Sequence, residues 1–202
     1  TMTSITEAMG MSLPGAATTP GPDAQNARSA FLAGRRLVGM IWDDLKPRDI
    51  ITQASLRNGL TVYAALGGST NAAIHCIAIA KRAGLELTLD QMDEIARNVP
   101  VLIDLMPSGN FLMEDFHFAG GVPALMNRLG DLLDLGCLTV TGASVGENIA
   151  CAEVENDEVV RPLDNPVSPR PALAVLRGNL CPDGAVIKPS AASPDLMRHT
   201  GK

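Results

Sequence analysis

The chain has 202 residues and a formal charge of −6; 46% of it is hydrophobic but only 3% aromatic. That composition belongs to a globular unit with a core of Ala, Leu, Ile, Val and Met rather than to a disordered segment, and the lack of any basic run argues against a nucleic-acid surface. No apolar stretch reaches the ~18 residues of a membrane span; the longest, 72–80, is broken by His75 and ends at Lys81-Arg82.

The first residues lack the basic and long apolar regions of a signal peptide. The start inside a helix and the end at Thr200-Gly201-Lys202 read as cut points in a longer polypeptide. Thr3–Met9 reads as the end of a helix closed by Gly10. After a loop rich in Pro, Gly and Thr, Asp23 is placed to cap a helix running through Phe31, Leu37, Val38 and Ile41 to Trp42. Pro47 starts another, with Ile50, Ile51, Ala54 and Leu56 on its apolar side and Gly59 weakening its end. Thr61–Leu66 leads to Gly67-Gly68-Ser69-Thr70-Asn71, then to an apolar helix over 72–83 with Gly84 as its cap. Thr88-Leu89-Asp90-Gln91 matches a capping box, so a helix is predicted to about Arg97.

Val101–Leu105 follows Pro100 as a strand or extended segment. A helical stretch follows Pro107-Ser108-Gly109-Asn110, and Ala119-Gly120-Gly121-Val122-Pro123 precedes a helix through Leu125, Leu129 and Leu132, with Pro123 in its first turn. Residues 144–152 give one more short helix. From about Val154 the character changes to a charged connector punctuated by Pro162, Pro166, Pro169 and Pro171. Ala174–Arg177 and Ala185–Lys188 then flank Cys181-Pro182-Asp183-Gly184, a hairpin signal. The boundary is placed near Pro171, with a helical domain over 1–170 and the opening of a β-rich domain over 171–202.

Cys76, Cys137, Cys151 and Cys181 show no ligand spacing, and His75, His117 and His199 add none, so the thiols read as scattered and reduced, as in a cytoplasmic protein. The most chemical-looking local feature is Gly67-Gly68-Ser69-Thr70-Asn71. Its glycines allow close backbone approach to a ligand, and N–H groups at a helix start favour an anion; equally, Ser or Thr caps the helix while the glycines make room for packing. Glu114, Asp115 and His117 could serve acid–base chemistry or form a solvated helix cap. Glu147 and Asn148 beside Thr139–Gly142 pose the same choice, and Glu153, Glu155, Asp157 and Glu158 read as a solvated acidic turn.

Several stretches in order resemble the dihydroxy-acid/6-phosphogluconate dehydratase family. They are Glu7–Gly15, Ala65-Leu66-Gly67-Gly68-Ser69-Thr70-Asn71-Ala72, Met113–Phe116, Ala119–Ala124, Leu138-Thr139-Val140-Thr141-Gly142, Arg161–Pro166, Leu176–Leu180 and Pro182–Ser193. Phe116–Ala119 and Arg161–Pro166 resemble the pentonate enzymes; Ala143 departs from the Lys common after the Thr-Gly pair. The resemblance implies an α/β class, with a mostly helical part of the first domain followed by the opening hairpin of a β-barrel-like second domain.

It also implies a hydro-lyase that converts a sugar acid to its 2-keto-3-deoxy acid. A [2Fe–2S] cluster on three cysteines would act on the 3-hydroxyl as a Lewis acid. Mg²⁺ would hold the carboxylate and 2-hydroxyl, and a serine would take the C2 proton. No cluster cysteine, metal carboxylate or base serine has a matching position here. The last cluster cysteine would precede Thr1, and the serine would follow Lys202. On this reading no catalytic or metal residue lies in the chain, Gly67, Gly68, Ser69, Thr70 and Asn71 line the substrate or cluster cavity, and the partners are a small-molecule sugar acid and further copies of the chain, as dimer or tetramer. The alternatives are a dihydroxy-acid dehydratase of branched-chain amino-acid synthesis and a non-catalytic module on the same scaffold.

Overall fold

The computed structural model describes residues 1–193 with 195, 198 and 200; His199, Gly201 and Lys202, weighed above, lie outside the described residues. The first helix, α1 (Met2–Ala8), ends where Gly10 turns left-handed at φ 79°. Asp23 caps α2 (Ala24–Trp42) by accepting from the Gln25 N–H at 2.7 Å, as its position predicts.

The helix predicted from Pro47 is two. α3 (Pro47–Ile50) stops at Ile51, which is extended, and Thr52 then caps α4 (Gln53–Ala65) in a reciprocal box with Ser55. Ser55 Oγ also donates to the Ile50 carbonyl at 2.7 Å, tying the break together. Gly59 does not weaken an end; it lies in mid-helix where α1 crosses. A Cβ there would sit 2.7 Å from Met9 Cγ and 3.1 Å from Ile5 Cγ2. The glycine thus trades helix propensity for close packing.

α5 (Asn71–Arg82) closes at Gly84, φ 76°. α6 (Leu89–Asn98) starts from the Thr88–Gln91 box. Val101–Leu105 is extended but joins no sheet; it makes single bridges to Ser168, Val160 and Phe111. α7 (Met113–Phe118) and α8 (Gly121–Leu129) follow. α8 stops short of the predicted Leu132 because Gly130 leaves the helical region, and one 3₁₀ turn covers Gly130–Leu132. α9 (Val145–Ile149) is shorter than predicted.

The hairpin forms as read. β1 (Ala174–Leu176) and β2 (Ala185–Ile187) pair antiparallel, with Val175 opposite Val186. It rests on α6: the Val175 N–H donates to Asp93 Oδ1 at 2.9 Å, and Arg177 pairs with Asp90 at 2.6 Å. One core runs through the molecule, from Ile5, Leu56 and Val62 to Phe116, Leu125, Val160 and Leu173. The chain is thus helix-rich with a small two-stranded sheet. Among the described residues no helix is long and apolar enough to cross a membrane.

Candidate functional site

The turn at 67–71 begins as the end of α4. Leu66 is the last residue in helical geometry, and Gly67 takes φ 64°. The Gly67 N–H donates to the Ala64 carbonyl at 3.1 Å and the Gly68 N–H to Tyr63 at 3.0 Å. This double closure satisfies carbonyls that the helix end would orphan, so these two amides are spent on the cap. Gly68 has a second reason: a Cβ on it would lie 2.3 Å from Tyr63 Cδ2 and 2.9 Å from Thr1 Cγ2. The packing role of the glycines is therefore real, whatever else the turn does.

Beyond the glycines the turn faces outward. Ser69 and Asn71 are exposed. The Ser69 N–H donates to Thr1 Oγ1 and the Asn71 N–H to Ser69 Oγ, each at 3.3 Å. Asn71 Nδ2 lies 3.3 Å from His75 Nε2 on the next turn of α5. Thr70, at the start of α5, makes no side-chain cap. The turn is thus seated against Thr1. Beneath it, the Tyr63 hydroxyl is buried with no hydrogen-bond partner among the described residues. Burial, with Cys76 nearby, holds that phenol well above its ordinary range. From the other side Lys188, just after β2, donates Nζ to the Gly67 carbonyl at 2.7 Å.

The other polar candidates resolve into structural roles. Asp115 accepts from the Leu112 N–H at 2.7 Å and starts α7. His117 Nδ1 lies 3.2 Å from Thr18 Oγ1, and Glu114 is exposed. Glu147 accepts from the Ser144 N–H and hydroxyl, which holds its carboxyl below the usual range. Asn148 joins Thr139 and Thr141 in an internal network of bonds of 2.8 to 3.0 Å. In the acidic turn Asp157 pairs with Arg128 at 2.6 Å, while Glu153, Glu155 and Glu158 are exposed.

Cys76 and Cys137 are buried and Cys151 and Cys181 exposed, all four free. Burial pushes the first two thiols up to about 11, with Asp134 adding to the effect at Cys137. Such thiols are protonated near neutrality and poor ligands. Among the described residues no three His, Cys, Asp or Glu side chains gather where a metal could sit. The described residues therefore do not fit the ligand set of a cluster or of Mg²⁺.

Sequence reasoning missed Glu7. It is buried on α1 and accepts from the Gly15 and Ala17 N–H groups at 2.7 and 2.8 Å. A lone acid beside Ala8 and Met9, ahead of a Pro-Gly loop, was the available signal.

Comparison with known proteins agrees with this scaffold. Residues 1–148 match the dihydroxy-acid/6-phosphogluconate dehydratase N-terminal description, and residues 158–202 match the C-terminal one. The change falls where the helices give way to the connector. The whole chain is 52% identical to 6-deoxy-6-sulfo-D-gluconate dehydratase of Pseudomonas putida and 49% identical to a dihydroxy-acid dehydratase of Caldicellulosiruptor saccharolyticus. Over 97% of its length it is 47% identical to L-arabinonate dehydratase of Rhizobium leguminosarum. It spans 35%, 37% and 34% of the lengths of these three relatives. Two consecutive matches along one chain, in the order of the motifs and on a fold that carries both a helical body and the opening hairpin, make this chain a member of the dihydroxy-acid/6-phosphogluconate dehydratase family.

Proposed function

We propose that these residues belong to a longer hydro-lyase that dehydrates a sugar acid, an aldonate of the pentonate class. The C2 proton and the C3 hydroxyl leave as water, and the resulting enol tautomerises to the 2-keto-3-deoxy acid. The observation that carries the reading is the similarity to two sugar-acid dehydratases, at 52% and 47% identity. The second reading is a dihydroxy-acid dehydratase, favoured by the 49% identity to an enzyme of that name.

In this proposal residues 1–170 contribute to the first domain and 171–202 open the second. The turn Gly67–Asn71 lines the cavity, and its seat against Thr1 supports that role. The [2Fe–2S] cluster and Mg²⁺ of the family would be held by residues other than those described. Assembly as a homodimer or homotetramer in the cytoplasm completes the proposal.

The test uses the full-length protein. Keto-acid release from L-arabinonate, D-xylonate, D-galactonate and dihydroxyisovalerate should favour an aldonate; a clear preference for dihydroxyisovalerate overturns the reading. Gly68→Val should lower activity well beyond its loss of folded protein. Normal kinetics in that variant would leave the glycine with its packing role alone.

A further inference from the structure

Two hydroxyls are buried in the body of the molecule with no hydrogen-bond partner among the described residues: Ser4 Oγ on α1 and the Tyr63 phenol on α4. Ser4 is 0% and Tyr63 2% exposed, so bulk water does not satisfy them. Buried polar groups are almost always paired, because an unpaired one forfeits the bonds it made to water. We propose that both hydroxyls are partnered by the stretch of polypeptide immediately before Thr1, which extends α1 backwards and seats on α4 beside the candidate turn. The inference rests on the reading that these residues belong to a longer chain, and not on which acid that chain dehydrates.

Ser4 names the segment. A serine or threonine inside a helix commonly turns its hydroxyl back to the carbonyl four residues earlier. Thr6 on the same helix does this, donating to the Met2 carbonyl at 2.8 Å. The residue four before Ser4 is the one that precedes Thr1. The Thr1 carbonyl already accepts from the Ile5 N–H at 3.0 Å in the helical pattern. The next carbonyl back, carried on the same helical path, falls where Ser4 Oγ can donate to it.

Tyr63 places the segment on α4. Its ring passes beneath Gly68, where Cε2, the carbon next to the one that bears the hydroxyl, lies 2.4 Å from the position of an added Cβ. Thr1 Cγ2 lies 2.9 Å from the same point. The phenol therefore ends in the small region where the chain enters α1. A buried tyrosine hydroxyl usually finds an acceptor, and burial keeps this one protonated, so it has a proton to give. Cys76 is near enough to act on its charge yet makes no bond with it. The carbonyls and polar side chains of an incoming turn are the acceptors that α1 and α4 do not supply. One residue then holds two pieces in register: the ring carries the 67–71 turn through Gly68, and the hydroxyl carries the segment that leads into α1.

The test is amide hydrogen exchange, read by mass spectrometry, on the full-length protein and its Tyr63→Phe and Ser4→Ala variants. Tyr63→Phe keeps the ring, and with it the packing under Gly68, and removes only the hydroxyl. The amides just before Thr1 should exchange about tenfold faster in this variant, while those of α6 and α8 keep their wild-type rates. Ser4→Ala should speed the same amides by a smaller factor. The urea midpoint should fall in both variants, since a made bond is lost; deleting a hydroxyl that has no partner would leave the midpoint unchanged or raise it. Wild-type exchange before Thr1 in both variants overturns the proposal and leaves the hydroxyls to a buried water. Faster exchange spread evenly over α1, α4, α6 and α8 overturns it too, as a general loosening of the body. If Tyr63→Phe fails to fold, Ser4→Ala decides. A native polypeptide whose intact mass shows it to begin at Thr1 would sink both this proposal and the reading of a longer chain. Turnover of dihydroxyisovalerate and of no aldonate would sink the sugar-acid reading alone, because the exchange result does not depend on the substrate.

Discussion

Two helices of this chain have apolar periodicity and opposite fates. From Ser55 to Ala65 every residue of α4 except Arg57 is buried, whereas of the nineteen residues of α2 only Met40 is. On α2, Phe31 is 70% and Trp42 83% exposed, with Leu37, Val38 and Ile41 also in the open. Its cap and the contact of Arg36 with the Val140 carbonyl hold it in place, and no described element covers its stripe. Periodicity makes a helix amphipathic, but burial depends on what the rest of the fold brings to it. α4 packs extensively on α1 and on α6, and no described element packs on α2 to a like extent.

The sharpest way to break this contrast is to fill the α1–α4 crossing. Gly59→Val would drive a branched side chain into Met9, Ile5 and the Ile5 carbonyl, which lies 3.3 Å from the ideal Cβ. Overpacking of a close contact costs about 1–3 kcal/mol and occasionally more. Backbone on one side of the contact puts the expected loss at or above the upper end of that range. Urea unfolding of the full-length protein should show it as a large fall in midpoint. A midpoint near wild type would mean that α1 can slide away and that the crossing is looser than its geometry.

The second prediction concerns the same pair of helices. Burial raises the Glu7 carboxyl to about 7, against the opposing pull of the Gly15 and Ala17 N–H groups. The folded form therefore keeps a proton that the unfolded chain releases near pH 4.5. The resulting stability is fully present below the unfolded pKa and is lost as pH rises towards 7, by on the order of 3 kcal/mol. Glu7→Gln should flatten that dependence between pH 5 and pH 8. Parallel slopes for wild type and variant in urea midpoints would refute the assignment.

What could be read from sequence was what is local. The Asp23 cap, the Thr88–Gln91 box, the closing glycines and the hairpin depend on residues a few positions apart, so composition exposes them. The family motifs also carried the class of fold. Gly59 was misread because its reason is Met9, fifty residues away, and propensity alone makes glycine a helix weakener. At the candidate turn, Gly67 was legible as a helix stop. The claim of Tyr63 on Gly68 was not, since it depends on where a ring lies. The bond from Lys188 to Gly67 joins two of the motifs behind the resemblance, yet nothing in either names the other.

A smaller effect separates the helices by their stop signals. Asp23→Ala removes the acceptor for the Gln25 N–H and should cost about 1 kcal/mol. Because α2 packs so little, the loss should appear as faster amide exchange in the first turns of α2 with little change in global unfolding. Thr52→Ala at the start of α4 should instead lower global stability, since α4 cannot fray without opening the core. Equal behaviour of the two variants would show α2 to be coupled to the body.

The smallest expected effect is at the exposed stripe itself. Phe31→Ser and Trp42→Ser remove large apolar side chains that are mostly in water already. Surface substitutions away from buried features usually change stability by less than ~0.5 kcal/mol. In the 202-residue chain both variants should therefore unfold at the wild-type midpoint, and solubility should rise as apolar surface is lost. The same two substitutions made in the full-length protein measure something else. A side chain covered there by other parts of the polypeptide, or by another copy, loses about 25 cal/mol for each Å² of apolar surface that had been withdrawn from water. The difference between the two settings reads the coverage directly. If the 202-residue chain itself loses stability, α2 is already packed as α4 is, and the contrast between the helices fails.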